Sequence, residues 1–125
     1  MKVSKNKAWG IILVILVLVI IITLGSINYS QKSTEKLILF AKCLKENKIK
    51  FYGSLECSHC EDQKKMFKTA FKYLDYVECG SLASMNQICV DANITGTPTW
   101  IIRGQNKLMG VQTLNTLSEI SGCKI

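Results

Sequence analysis

Two cysteines with two residues between them, Cys57-Ser58-His59-Cys60, stand where an apolar run ends and a helical pattern begins. Ile49 to Tyr52 reads as a short strand, Gly53 breaks it, and after Cys60 apolar residues recur at helical spacing. The pair therefore belongs to a strand-to-helix junction, and that position has chemical consequences. Cys57 would lie at the helix N-terminus, where unpaired backbone N–H groups and the helix dipole favour negative charge. A thiolate is stabilised there, its pKa falls, and such a pair is poised for disulfide exchange. His59 is the one histidine in the sequence, and its imidazole beside the thiolate would add to that effect. A zinc site would need a second pair of ligands, and no second Cys-x-x-Cys or His-rich spacing exists, so no metal is expected. An inert structural disulfide is the other alternative; placement at a strand–helix junction argues against it.

The second constraint is an uncharged stretch near the N-terminus. Trp9 and Gly10 precede an unbroken aliphatic run from Ile11 to Ile22, followed by Thr23 and Leu24. As a helix this reaches about 24 Å against a hydrocarbon core of ~30 Å, with Trp9 and residues 25–29 supplying the remainder. Lys2, Lys5 and Lys7 precede it, and the first acidic residue is Glu35. The positive-inside bias then sets the N-terminus in the cytoplasm and the chain after Ser26 outside. The run exceeds the apolar core of about 7–15 residues typical of cleaved signals, so an uncleaved anchor is expected. The expected organisation is a basic cytoplasmic tail over 1–8, a transmembrane signal anchor over 9–25, a polar linker over 26–33 and one domain over 34–125. This places a single-pass protein in the cell membrane with its domain extracytoplasmic. All six cysteines follow the anchor, which suits an oxidising compartment. The net charge of +7 forms no basic stripe with interleaved aromatics, so nucleic acid is not an expected partner.

Ser33 or Thr34 is expected to cap a helix to about Asn47 that buries Leu37, Phe40, Ala41 and Leu44 and carries Cys43. The helix after Cys57 should bury Met66, Phe67, Ala70, Phe71 and Leu74, and turn Lys64, Lys65, Lys68 and Lys72 to solvent. Tyr76 to Cys79 reads as a second strand, parallel to the first as a strand–helix–strand unit requires. Gly80 to Ser84 reads as a loop, and Ser84 as the cap of a helix through about Ala92 carrying Cys89. Thr99 to Ile102 and Lys107 to Val111 form a hairpin about a turn at Gly104–Asn106. Thr113 caps a last helix through about Ser121, with Leu114, Leu117 and Ile120 facing in.

This order, with Cys-x-x-Cys at the first strand–helix junction, resembles the thioredoxin fold: an α/β domain with a mixed four-stranded sheet flanked by helices. Pro98, the one proline in the sequence, stands in Gly96-Thr97-Pro98-Thr99 just before the third strand. In thioredoxin-like proteins a cis-proline occupies that point and faces the active-site disulfide. The resemblance implies that Thr97 and Pro98 form a substrate-binding edge beside Cys57. Phe51-Tyr52-Gly53, Gln63-Lys64, Phe67, Tyr76-Val77-Glu78-Cys79, Cys89 and Pro98-Thr99-Trp100 extend the likeness to one subgroup. That subgroup is the thioredoxin-like domain associated with bacterial homologues of vitamin K epoxide reductase. The resemblance implies an enzyme that takes electrons from protein thiol substrates and passes them to a quinone-linked membrane partner. It needs no cofactor beyond the redox-active disulfide Cys57–Cys60. Cys57 would be the attacking thiol and Cys60 the buried resolving one.

Three departures stand out. Glu56 and Ser58 occupy positions where the family usually has Trp and Pro, and Glu56 should raise the Cys57 pKa. Thioredoxins bury an Asp six residues before the first cysteine, where this chain has Phe51, so proton transfer to Cys60 must use water or another residue. The remaining four cysteines permit three pairings. Cys79–Cys89 would staple a short loop and Cys43–Cys123 would join the ends of the domain; both are expected as structural bonds, with a relay to Cys57–Cys60 as the functional alternative. A disulfide donor is the expected function. A reductase or isomerase fed electrons from the cytoplasm, and a non-catalytic binding module on the same fold, are the alternatives.

Overall fold

The computed structural model describes residues 5–81, 83–104 and 106–125. Lys2 of the expected tail, and Leu82 and Gln105 in two expected turns, lie outside the described residues. The chain divides into two units, one ending at Ser33 and one spanning Thr34–Ile125.

The described part of the first unit is helical. Helix α1 (Lys5–Glu46) begins there, and its last turns belong to the second unit. Every large apolar side chain from Trp9 to Ile27 is exposed, and the segment's mean hydropathy reaches 3.2. The helix is thus long and apolar enough to cross a membrane. Its polar side chains are satisfied within it: Thr23 Oγ1 donates to the Ile20 carbonyl at 2.9 Å and Ser26 Oγ to that of Ile22 at 2.8 Å. The expected linker over 26–33 is helical. No proline interrupts it, so the backbone ladder continues and neither Ser33 nor Thr34 starts a new helix.

In the second unit, α1 buries Leu37, Phe40, Ala41 and Leu44, the face its sequence marks as apolar. Strands β1 (Lys50–Gly53), β2 (Asp75–Glu78), β5 (Thr99–Ile102) and β6 (Asn106–Met109) form one mixed sheet in the order β2-β1-β5-β6. β1 runs parallel to β2 and antiparallel to β5, and β5 and β6 are antiparallel. Between β1 and β2 lie α2 (Ser58–Phe67) and a 3₁₀ segment, Lys68–Tyr73. A two-residue hairpin, β3 (Gly80–Ser81) with β4 (Ser84–Met85), and a short α3 (Gln87–Asp91) lead toward β5, and α4 (Leu114–Ser121) closes the chain.

Strand alternation divides the core. Phe51, Trp100 and Ile102 face the larger cluster with Phe40, Leu44, Phe67 and Leu117, while Tyr52 and Ile101 face a smaller one with Cys79, Cys89 and Ile94. Phe51 and Trp100 stack with ring centroids 4.7 Å apart. Among the described residues one side-chain amide is buried, that of Gln63, and it is fully used. Its Oε1 accepts from Trp100 Nε1 at 3.2 Å and from the Gln112 backbone N–H at 2.7 Å, and its Nε2 donates to the Gln112 carbonyl at 3.0 Å.

Several local expectations change. The helix after Cys57 stops at Phe67, because Lys68 takes a positive φ of 49°, and Met66 is left exposed while Ala70 and Leu74 remain buried. Lys64 does not join the solvated face. It is half-buried, with Nζ 4.9 Å from the Tyr76 ring centre and 5.6 Å from that of Phe71. Ser84 does not cap a helix, since its hydroxyl bonds that of Ser81 at 2.9 Å, and α3 starts after Asn86. The fourth strand ends at Met109 rather than Val111. Thr113 does cap α4, accepting from Thr116 N at 3.0 Å, but Ile120 points outward and Ser121 is buried in its place.

Gln63→Leu should cost about 1–3 kcal/mol in chemical denaturation, because the Trp100 and Gln112 donors lose a buried acceptor. The structure joins Cys43 to Cys123 across 80 residues. Replacing both by serine should lower stability by about 4 kcal/mol on the chain-entropy scale, read from the same denaturation midpoint.

Candidate functional site

β1 ends at Gly53, and the chain turns through Ser54 to Glu56 before α2 begins. Cys57 is the N-cap of α2. Its backbone is extended, with φ −97° and ψ 111°, and its Sγ accepts the Cys60 N–H at 3.2 Å. A sulfur thus holds the place where a serine or aspartate oxygen usually satisfies the first free amides of a helix. One turn on, Cys60 is fully buried, whereas Cys57 is only partly covered. Both are free thiols.

The segment before β5 meets this turn. The Thr97–Pro98 peptide bond is cis, and the Thr97 carbonyl accepts from Cys57 Sγ at 3.4 Å. Pro98 is buried, and Thr99 Oγ1 donates to the Gly96 carbonyl at 2.7 Å. Glu56, Cys57, Ser58, Gly96 and Thr97 line a cleft of about 450 Å³. The site is therefore a partly exposed sulfur at the edge of a cleft, with a second sulfur sealed behind it.

The two thiols differ in acidity. Burial raises the Cys57 pKa, but hydrogen bonds from the Cys60 and Thr97 side chains and from the backbone N–H groups of Cys60 and His59 outweigh it. The net result lies below the ordinary 9.0. The expected rise from Glu56 does not prevail; its exposed side chain is screened by solvent. His59 is exposed, and its backbone N–H is what reaches Cys57. Cys60 moves the other way: burial first, then its hydrogen bond with Cys57, push it up to about 11.

A second group adjoins the pair. Glu78 Oε1 accepts from the Leu55 N–H at 3.1 Å and the Gly80 N–H at 3.0 Å, and its Oε2 accepts from the Tyr76 hydroxyl. Burial raises the Glu78 pKa, yet the hydrogen bonds from Tyr76, Gly80 and Leu55, with the Lys64 charge, hold it below the ordinary 4.5. Burial, and then the bond to Glu78, push Tyr76 above its ordinary 10.0. This cluster escaped the sequence reading. The available signal was strand alternation, which puts residues two apart, Tyr76 and Glu78, on one face of β2.

The second disulfide joins Cys79 to Cys89, with Cα atoms 5.6 Å apart. It lies next to the site in the chain: the Cys79 N–H donates to the Gly53 carbonyl at 2.8 Å. Among the described residues no three His, Cys, Asp or Glu side chains converge to hold a metal ion.

No family model matches the chain. Over 99 residues it is 40% identical to the thiol-disulfide oxidoreductase LTO1 of Arabidopsis thaliana, and the match takes in 74% of this chain and 26% of that protein. The chain thus spans about a quarter of that relative's length.

The opposed shifts give a pH test. Cys57 ionises before an ordinary cysteine does, so its alkylation by iodoacetamide should reach half-maximal rate below pH 9.0. Cys60 keeps its proton until about pH 11, so mass analysis of the alkylated peptides near pH 7 should find label on Cys57 and almost none on Cys60.

Proposed function

We propose that the chain is a membrane-anchored, thioredoxin-like thiol–disulfide oxidoreductase that works outside the cytoplasm, with Cys57–Cys60 as its redox pair. One observation carries this reading: a partly exposed, acidified Cys57 caps a helix beside the Thr97 carbonyl, and a buried, high-pKa Cys60 stands one turn behind. The likeness to a thiol-disulfide oxidoreductase supports the reaction class. The apolar part of α1 supports an anchor with the N-terminus inside, and the Cys43–Cys123 and Cys79–Cys89 bonds suit an oxidising compartment.

In the forward direction a substrate thiolate attacks Cys57 Sγ of the disulfide, and Cys60 leaves with the electron pair. A second thiolate of the substrate then attacks the substrate sulfur bonded to Cys57, which releases Cys57 as a thiolate and leaves the substrate with a disulfide. The Thr97–Pro98 edge holds the substrate backbone next to Cys57, and the backbone N–H groups at the start of α2 stabilise the departing thiolate. The lowered Cys57 pKa suits exchange in either direction, and the resemblance to the domain associated with vitamin K epoxide reductase homologues favours a disulfide donor. Reoxidation falls to a quinone-linked membrane protein like vitamin K epoxide reductase.

The test is the reduction potential of the pair in the full chain, held in detergent and equilibrated with glutathione. A value near about −120 to −200 mV fits a disulfide donor, and one near roughly −270 mV or below fits a reductase and removes the need for a quinone-linked partner. A pair that never exchanges would leave a non-catalytic binding module. Cys60→Ser should trap partners as mixed disulfides on Cys57, which mass spectrometry can identify.

A further inference from the structure

Resolution of a mixed disulfide on Cys57 requires the Cys60 thiol to lose its proton, and Cys60 is buried with a pKa pushed up to about 11. Solvent has poor access to that sulfur. The larger core cluster, in which Cys60 sits, has Phe51 and Trp100 on its strands, and neither can accept a proton. Tyr76 packs at the edge of this cluster.

Gly53 shows how close the tyrosine lies. A Cβ on Gly53 would stand 2.9 Å from Tyr76 Cε2, 3.4 Å from the Tyr76 hydroxyl oxygen and 3.5 Å from Cys60 Sγ. The hydroxyl and the sulfur therefore border the same small gap, which only a residue without a side chain leaves open. The Tyr76 hydroxyl donates its proton to Glu78 Oε2, so its oxygen lone pairs remain available to a donor on the Cys60 side. Glu78 is fixed in turn by the Leu55 and Gly80 amides.

We propose that Tyr76 and Glu78 form a proton relay for Cys60, placed in the gap beside Gly53 and working during resolution of the mixed disulfide. The proposal rests on the reading of Cys57–Cys60 as an exchanging pair. In the step, the Cys60 S–H proton passes to the Tyr76 oxygen through one water, as the Tyr76 proton passes to the Glu78 carboxylate. The Cys60 sulfur attacks Cys57 Sγ, the bond from Cys57 to the foreign sulfur breaks, and that sulfur leaves as a thiolate with the electron pair. Cys57 and Cys60 are joined, the foreign sulfur is reduced, and Glu78 holds the proton until the leaving thiolate or solvent takes it. A carboxylate of lowered pKa is a weak base, so the proton stays on Glu78 only briefly, while the S–S bond forms.

The other ionisable groups facing the relay come from α2. Lys64 lies over the Tyr76 ring and pairs with Glu61 at 2.8 Å, and its charge helps keep Glu78 ionised. Glu61 acts on Tyr76 only through its charge, as does Cys60, whose partner thiol is Cys57. Tyr76 and Glu78 act through Cys60 and are positioning residues in this scheme.

The experiment mixes the reduced full chain, in detergent, with oxidised glutathione, quenches with acid and follows the glutathione adduct by mass. Adduct formation reads Cys57, and adduct decay reads resolution by Cys60. Glu78→Gln keeps an oxygen for the Leu55 and Gly80 amides, and Tyr76→Phe keeps the ring, so one variant stands if the other fails to fold. Both should form the adduct within about twofold of wild type and lose it about 100-fold more slowly at pH 7. The gap should close as pH approaches 11, where solvent deprotonates Cys60 without help. Glu61→Gln, a loss of nearby charge outside the hydrogen-bonded chain, should leave both phases unchanged. Decay that is unchanged or faster in Glu78→Gln and Tyr76→Phe overturns the relay while the exchange reading stands. A wild-type chain that forms no adduct overturns both.

Discussion

Strand β1 is paired on both sides, Lys50 to Tyr52 with both neighbours and Gly53 with β2, and each part of the site arrives through that pairing. Phe51 stands opposite Tyr76 on one side and Trp100 on the other, and Gly53 stands opposite Glu78. The cysteine turn leaves from the end of β1, the Tyr76–Glu78 pair rides on the parallel neighbour, and the Thr97–Pro98 segment enters the antiparallel one. A slip of one residue in either register would turn these side chains to the opposite face of the sheet. The ladder continues past the strands, with the Cys79 amide on the Gly53 carbonyl, so the site is built directly on sheet hydrogen bonds.

The core makes that register the favoured one. Phe51 and Trp100 stack across the β1–β5 pair, and Phe67 lies 6.0 Å from Trp100 and 6.0 Å from Phe40. These contacts tie α1, α2 and the sheet into one apolar block. Gln63 adds direction to it, because an amide bonded to Trp100 and to both backbone groups of Gln112 fits in a single orientation. Apolar burial supplies most of the attraction here and the amide supplies the specificity.

Much of this was legible in the sequence because the signals are local and periodic. The Leu37-Phe40-Ala41-Leu44 stripe, the apolar run before Gly53 and the Cys-x-x-Cys after it each fix an element without reference to the rest. Thr113 announced its cap in the same way. The errors lie where distant contacts override local pattern. Ser33 and Thr34 look like caps of a new helix, yet nothing in Ser26 to Ser33 stops a helix already running. Lys68 has no sequence mark for its positive φ, so Met66 was placed inside and Lys64 outside. Glu78 looked like an ordinary strand residue, because its partners Leu55 and Gly80 come from a loop and a hairpin that the sequence does not bring together.

The cap on α2 is a sulfur, and its charge changes with the redox state. In the reduced protein it is a thiol of lowered pKa that accepts the Cys60 amide; in a disulfide it has no proton to lose and is a weaker acceptor. The first turn of the helix is therefore held more firmly in one state than in the other. Opening of that turn, and with it exchange of the Cys60 amide proton for deuterium, becomes a gauge of the electrons on the pair.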